Sequence, residues 1–235
     1  MKIQVRGLLP LMLPLMLSLG LLAAPTLAQT ATPAPTETKL KVKVKTPKPP
    51  KKSNKDELVT ITTSQGVIRL ILFEDTPLHR ANFLQKAKSG FYDGTTFHRV
   101  IEGFMVQGGD ANSKDADPNN DGIGNPTDPT IPAELGPGHP HNYGALAAAR
   151  MGGPAGTPSS FSQFYLVQNH DGTHFLDAQY TVYGQVIQGL DVIDKIAKTP
   201  KNERDRPLTD VKMTMKVEKL KRKKITALYG YQYPA

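Results

Sequence analysis

The chain has 235 residues, 38% of them apolar, with 20 Gly, 20 Pro and neither Cys nor Trp. That composition fits one turn-rich, largely β domain with extensions, and excludes disulfides, thiolate metal centres and a lipidated cysteine. The net charge of +8 is no mark of nucleic-acid binding: ten of the 29 Lys/Arg but only two of the 21 Asp/Glu precede residue 57, so the excess lies there and the rest of the chain balances.

Lys2 and Arg6, an apolar run from Leu8 to Leu22, and Thr26-Leu27-Ala28 have the layout of a secretory signal. Pro10 and Pro14 interrupt the run, which is shorter than the ~20 residues a spanning helix needs. Cleavage is expected after Ala28, leaving a periplasmic or secreted protein. Residues 29–56 are rich in Thr, Pro, Ala and Lys and bury too little apolar surface to offset their ordering entropy. They read as a linker. Its charge offers weak contact with an anionic envelope surface, against the plainer reading of a solvated spacer.

Glu57 to Thr63 and Val67 to Phe73 read as strands joined at Ser64-Gln65-Gly66. Thr76-Pro77 starts a helix through about Ser89, with Thr76 as its cap, Ala81, Phe83, Leu84 and Ala87 on the buried stripe, and Gly90 ending it. His79 and Asn82 on it are surface or packing residues. Phe97 to Asp110 then alternates apolar and polar residues as two short strands broken at Glu102-Gly103, and offers an arginine, a phenylalanine, a methionine and a glutamine.

Residues 111–143 are Asp/Asn-rich. Asp117, Asn119, Asp121, Gly122 and Asp128 match positions 1, 3, 5, 6 and 12 of a calcium loop, but Pro118, Pro126 and the lack of flanking amphipathic helices favour a solvated loop of Asx turns. His139 and His141 have no third His or Cys nearby and read as loop histidines. Gly144 to Arg150 is a strand of small residues suited to passing beneath a ligand, Met151 to Phe161 a loop, and Ser162 to Val167 a further strand. A short helix at Gly189 to Ile196 and a closing strand at Val211 to Leu220 complete the pattern; residues 221–235, basic and then Tyr-rich, carry no readable motif.

The run Phe97-His98-Arg99-Val100-Ile101-Glu102-Gly103-Phe104-Met105-Val106-Gln107-Gly108-Gly109-Asp110 resembles the signature of the cyclophilin family of peptidyl-prolyl isomerases. Leu176-Asp177-Ala178-Gln179-Tyr180-Thr181-Val182-Tyr183-Gly184-Gln185-Val186 resembles a second signature, and Ser162 to Leu166 a third. The resemblance covers about residues 57–220. It implies an all-β-dominated fold, an eight-stranded antiparallel closed barrel capped by two helices. The activity it implies is rotation of X-Pro peptide bonds in proline-containing peptides and in unfolded or folding proteins, by a monomer, without cofactor or metal.

The resemblance places a catalytic arginine at Arg99. Arginine suits the task, because the prolyl nitrogen carries no hydrogen and a permanently charged donor can approach its lone pair as the bond twists. It further implies a proline pocket of Phe104, Met105, Tyr165, Phe175 and Leu176, backbone contacts from Gln107 and Gln163, and a groove lined by Ala149 and Arg150 with Tyr180 beside it. Phe175 stands where many members carry tryptophan, Tyr180 where many carry histidine, and Arg150 where asparagine is common. His98 is expected to be a hydrogen-bonded structural histidine, since the reaction moves no proton. The rival reading is a proline-directed binding module or holdase whose turnover is incidental.

Overall fold

The structure, a computed structural model, describes residues 53–234. The signal expected at 1–28 and most of the expected linker lie outside the described residues. The linker boundary falls earlier than expected, because β1 (Lys55–Thr63) already includes Lys55 and Asp56. Asp56 is buried and binds Arg80 Nη2 at 2.9 Å.

β1 turns into β2 (Gly66–Leu72), followed by α1 (Pro77–Lys88), the pair β3 (Phe97–Ile101) and β4 (Met105–Gly108), and the two-residue β5 (Thr130–Ile131). Then come β6 (Ala145–Ala148), β7 (Ser159–Ser160), β8 (Phe164–Val167), β9 (Val182–Gln188), α2 (Leu190–Ala197), β10 (Met213–Lys221) and α3 (Arg222–Tyr229). Eight strands form one antiparallel sheet in the order β10-β1-β2-β9-β6-β8-β4-β3, and β5 pairs with β7 apart from it. The expected eight-stranded architecture is present, but it is a curled sheet and not a closed barrel. Its edges β3 and β10 share no ladder and meet through the bridge Thr96–Lys212 just outside both strands. The open edge of β3 is covered by a loop instead: Val100 N donates to Asp205 O at 2.8 Å, and Lys201 Nζ donates to Val100 O at 2.9 Å. Covering an edge with a loop satisfies its backbone groups as a ninth strand would.

Period-two alternation divides the sheet into two apolar faces. Val59, Ile61, Ile68, Leu70, Val106, Leu146, Phe164 and Leu166 point into the curl and pack with Phe83 of α1 and Ile193 and Ile196 of α2. Their alternating neighbours Met105, Ala145, Ala147, Tyr165 and Val167 form a separate outer cluster with Phe104, Leu176 and Tyr180. The same strands therefore supply the core with one face and the site with the other.

Among the described residues three α-helices are present where two were expected. The unread tail folds as α3, whose Ile225 is fully buried with Leu58 and Ile71, with Leu220, Tyr229, Tyr231 and Tyr233 packed around them. Thr76 precedes α1 but makes no side-chain cap bond. The cap comes from Glu134, 55 residues away, whose carboxylate accepts from Leu78 N at 3.0 Å and His79 N at 2.9 Å, and from His79 Nδ1 at 2.6 Å. A carboxylate at a helix N-terminus satisfies free N–H groups and complements the dipole. Among the described residues no helix is long and apolar enough to cross a membrane.

Candidate active site

The break expected at Glu102-Gly103 is the turn between β3 and β4, where Gly103 has φ +75°. Register then sets a row across three strands: Arg99 lies opposite Gln107, and Gln107 opposite Tyr165. The Gly-Gly after Gln107 is required by close approach. A Cβ at Gly109, which has φ +87°, would sit 2.7 Å from Ser162 O. Asp110 ends the run buried, accepting from Asn112 N at 3.2 Å and Gly124 N at 2.9 Å, and so ties the following loop back against the site.

The outer cluster is hollowed into a depression of about 120 Å³, lined by Arg99, Phe104, Met105, Gln107, Ala149, Arg150, Tyr165, Leu176 and Tyr180. Nine of the eleven residues that the resemblance singles out thus meet in one place, at a size that admits a small ring. The guanidinium of Arg99 is exposed at its lip, and among the described residues it has no hydrogen-bond or ion-pair partner. On the far side of Arg99 and Gln107 lies a larger polar depression of about 540 Å³, bounded by His98, Asp121, Gly122, Arg204 and Arg206.

Two residues sit elsewhere. Phe175 is 67% exposed and stacks on Phe104 at 5.8 Å between ring centroids, outside the hollow, because it rides on the exposed 3-10 turn His174–Leu176. Gln163 is buried and already engaged: Gln107 Nε2 donates to its Oε1 at 2.9 Å, and its own Nε2 donates to Gly122 O at 3.1 Å. Its amide is engaged within the protein, where it holds Gln107, and it does not line the hollow. Arg150 is also held. Its guanidinium lies 4.1 Å from the Tyr180 ring centroid, and Nη1 donates to Met151 O and Gly153 O at 3.0 and 2.9 Å. Cation–π and carbonyl contacts fix it as a wall.

The histidines correct one expectation and sharpen two others. His98 is buried, yet among the described residues neither ring nitrogen has a partner, and burial pushes its pKa down to about 4. His141 lies on a loop, as expected, but is fully buried there between Asp177 and the Tyr165 hydroxyl. His79 is one of the packing residues expected on α1, buried and bound to Glu134. His141 and Glu134 were missed because their partners lie 24 to 55 residues away.

In the Asp/Asn-rich loop, Asp115 accepts from Asp117 N, Asp117 from Asn119 N, and Asn125 Oδ1 from Thr127 N, which is the Asx-turn pattern expected. Asp121, which would be a calcium ligand, instead accepts from Arg206 Nε at 2.6 Å.

Residues 58–217 match the family model described as cyclophilin type peptidyl-prolyl cis-trans isomerase/CLD. A peptidyl-prolyl cis-trans isomerase of Arabidopsis thaliana is 35% identical over 158 residues, covering 66% of this chain and 91% of that protein. One from Acinetobacter baylyi is 38% identical over 151 residues, covering 61% and 73% respectively. A Cryptosporidium parvum cyclophilin type isomerase, solved in the presence of the dipeptide Ala-Pro, superposes with a TM-score of 0.57 at 25% identity, covering 68% of this chain and 98% of that one. All three signature runs and the hollow built on them fall within the matched region. The chain therefore belongs to the cyclophilin-type peptidyl-prolyl cis-trans isomerases.

Proposed function

We propose that the enzyme rotates X-Pro bonds in exported proteins as they fold, with Arg99 donating to the prolyl nitrogen. The observation that carries the proposal is a guanidinium, without a partner among the described residues, at the lip of a ring-sized hollow walled by Phe104, Met105, Leu176 and Tyr165. The barrier to rotation is ~18 to 20 kcal/mol, set by sharing of the nitrogen lone pair with the carbonyl. As the bond twists, the pair localises on a nitrogen that has no hydrogen of its own, and a donor placed there stabilises the twisted state more than the planar one. Such a charge-assisted bond is worth ~1.5 to 3 kcal/mol, roughly ten- to a hundredfold in rate.

The remaining acceleration comes from the walls. Phe104, Met105, Leu176 and Tyr165 grip the proline ring while the other side of the bond turns, and Gln107, held by Gln163, binds the substrate backbone. Export rests on the layout of residues 1–28.

Exchange NMR on an X-Pro peptide needs no coupled protease and separates turnover from binding. The protein is expected to speed exchange; binding without acceleration would leave a binding module or holdase. The amino-terminus of protein recovered from its source organism tests export: Gln29 is expected, and a chain that still starts at Met1 contradicts cleavage.

A further inference from the structure

From the Tyr165 wall of the hollow a polar chain runs back into the protein through the buried His141, which itself does not line the hollow. The Tyr165 hydroxyl lies 2.9 Å from His141 Nε2, and His141 Nδ1 lies 2.8 Å from Asp177 Oδ1. His141 is fully buried and pinned by its backbone as well, since its N–H donates to Asp177 Oδ1 at 2.7 Å and its carbonyl accepts from Thr173 N at 2.9 Å. The imidazole and phenol planes are nearly parallel, 11° apart, with ring centroids 6.0 Å apart. Asp177 follows Leu176 directly, and its other oxygen accepts from His174 Nδ1 at 2.9 Å.

The direction of the protons follows from the acceptors. A carboxylate at Nδ1 fixes the hydrogen there, so Nε2 presents a lone pair and can only accept from the Tyr165 hydroxyl. Burial holds the imidazole neutral by lowering its pKa, against the opposing pull of Asp177. The phenol likewise stays protonated, because burial pushes its pKa well up. The hydroxyl proton is thus directed backwards, away from the hollow, and the ring offers the hollow its apolar face.

We infer that His141 is a positioning residue for proline recognition: it holds the Tyr165 hydroxyl out of the pocket and, through Asp177, ties the pocket floor on β8 to the Leu176 wall. This rests on the reading of the hollow as the proline pocket. Without the imidazole, a buried hydroxyl has lost its acceptor and must seek another one in the space meant for the proline ring.

The test is a double-mutant cycle read by peptide titration and exchange NMR, using wild type, His141→Leu, Tyr165→Phe and the double variant. With Tyr165 intact, His141→Leu is expected to weaken X-Pro peptide binding roughly tenfold, with a smaller change in exchange rate at saturation. Added to Tyr165→Phe, the same change is expected to cost less than about twofold, because no hydroxyl is left to strand. Equal costs in the two backgrounds, or no cost in either, overturn the proposal. Imidazole nitrogen shifts of the wild type give a second reading that needs no variant: Nδ1 protonated and Nε2 bare is expected, and a proton on Nε2 overturns it. Failure of the wild type to bind the peptide at all would instead sink the pocket reading, a different result.

Discussion

Gln107 and Gln163 form one strut: the Gln107 amide donates to Gln163 Oε1 at 2.9 Å, and Gln163 donates onward to Gly122 O at 3.1 Å. The strut links the β4 side of the hollow to the Asp/Asn-rich loop, and among the described residues it leaves the Gln107 side-chain oxygen without a partner. Gln163→Leu keeps the volume but removes the acceptor, letting Gln107 rotate. Peptide affinity is expected to fall about fivefold, the equivalent of one ordinary hydrogen bond. Titration with an X-Pro peptide measures it, and unchanged affinity would show that Gln107 needs no support.

Arg206 clamps that loop. Its Nε binds Asp121 at 2.6 Å and its Nη2 binds Asp210 at 2.9 Å, while the Asp121 side chain is only 4% exposed. Arg206→Ala strands a buried carboxylate and is expected to cost about 3 kcal/mol in chemical denaturation. Removing Asp121 as well should recover part of the loss, since the charge left behind causes most of it. A double variant less stable than the single one by the full cost of a second lesion would contradict this.

Stability should fall in acid through His98. Its folded pKa is about 4, below the ordinary 6.5, because burial disfavours the cation. The unfolded chain therefore binds the proton first, and stability is complete above about pH 6.5 and lost progressively down to about pH 4, by roughly 3 kcal/mol. Burial lowers the pKa values of His79 and His141 too, which adds loss of the same sign. Urea denaturation across this range is expected to show the slope, flattened in His98→Gln; an equal slope in that variant would assign it elsewhere.

The carboxy-terminal helix is part of the folded body. Ile225 is fully buried against Leu58 and Ile71, so Ile225→Ala is expected to cost about 3 kcal/mol from lost burial and the cavity left behind. Its distance from the hollow predicts normal turnover in the folded fraction. A cost below about 1 kcal/mol would mean that α3 is only loosely attached.

What was legible in the sequence is what local pattern controls. Alternation through Phe97 to Gly108 gives both strands and the turn between them, and the same alternation decides that Val106 enters the core while Met105 and Gln107 face outward. Arg99, Phe104 and Met105 stand together because one hairpin carries all three. What was illegible depends on partners distant in the chain. Nothing near Pro77 announces that Glu134 caps its helix, and nothing near Gly138 announces that His141 meets Tyr165. Gln163 looked like a substrate contact because its motif fits one, but only the fold shows its amide already engaged. α3 was unreadable because its few apolar positions acquire meaning only against β1 and β2. Closure of the barrel failed for a related reason: the loop around Asp205 takes the edge of β3 that a strand would have used.

The account stands most directly on the division of labour between Arg99 and the hollow. The measurement is X-Pro exchange at saturating peptide, together with the peptide dissociation constant, for wild type and Arg99→Ala. The account predicts a rate ten- to a hundredfold lower with the dissociation constant changed only a few-fold, because the guanidinium acts on the twisted bond and the walls hold the ring. An unchanged saturated rate, or a loss confined to binding, would contradict a donor role for Arg99.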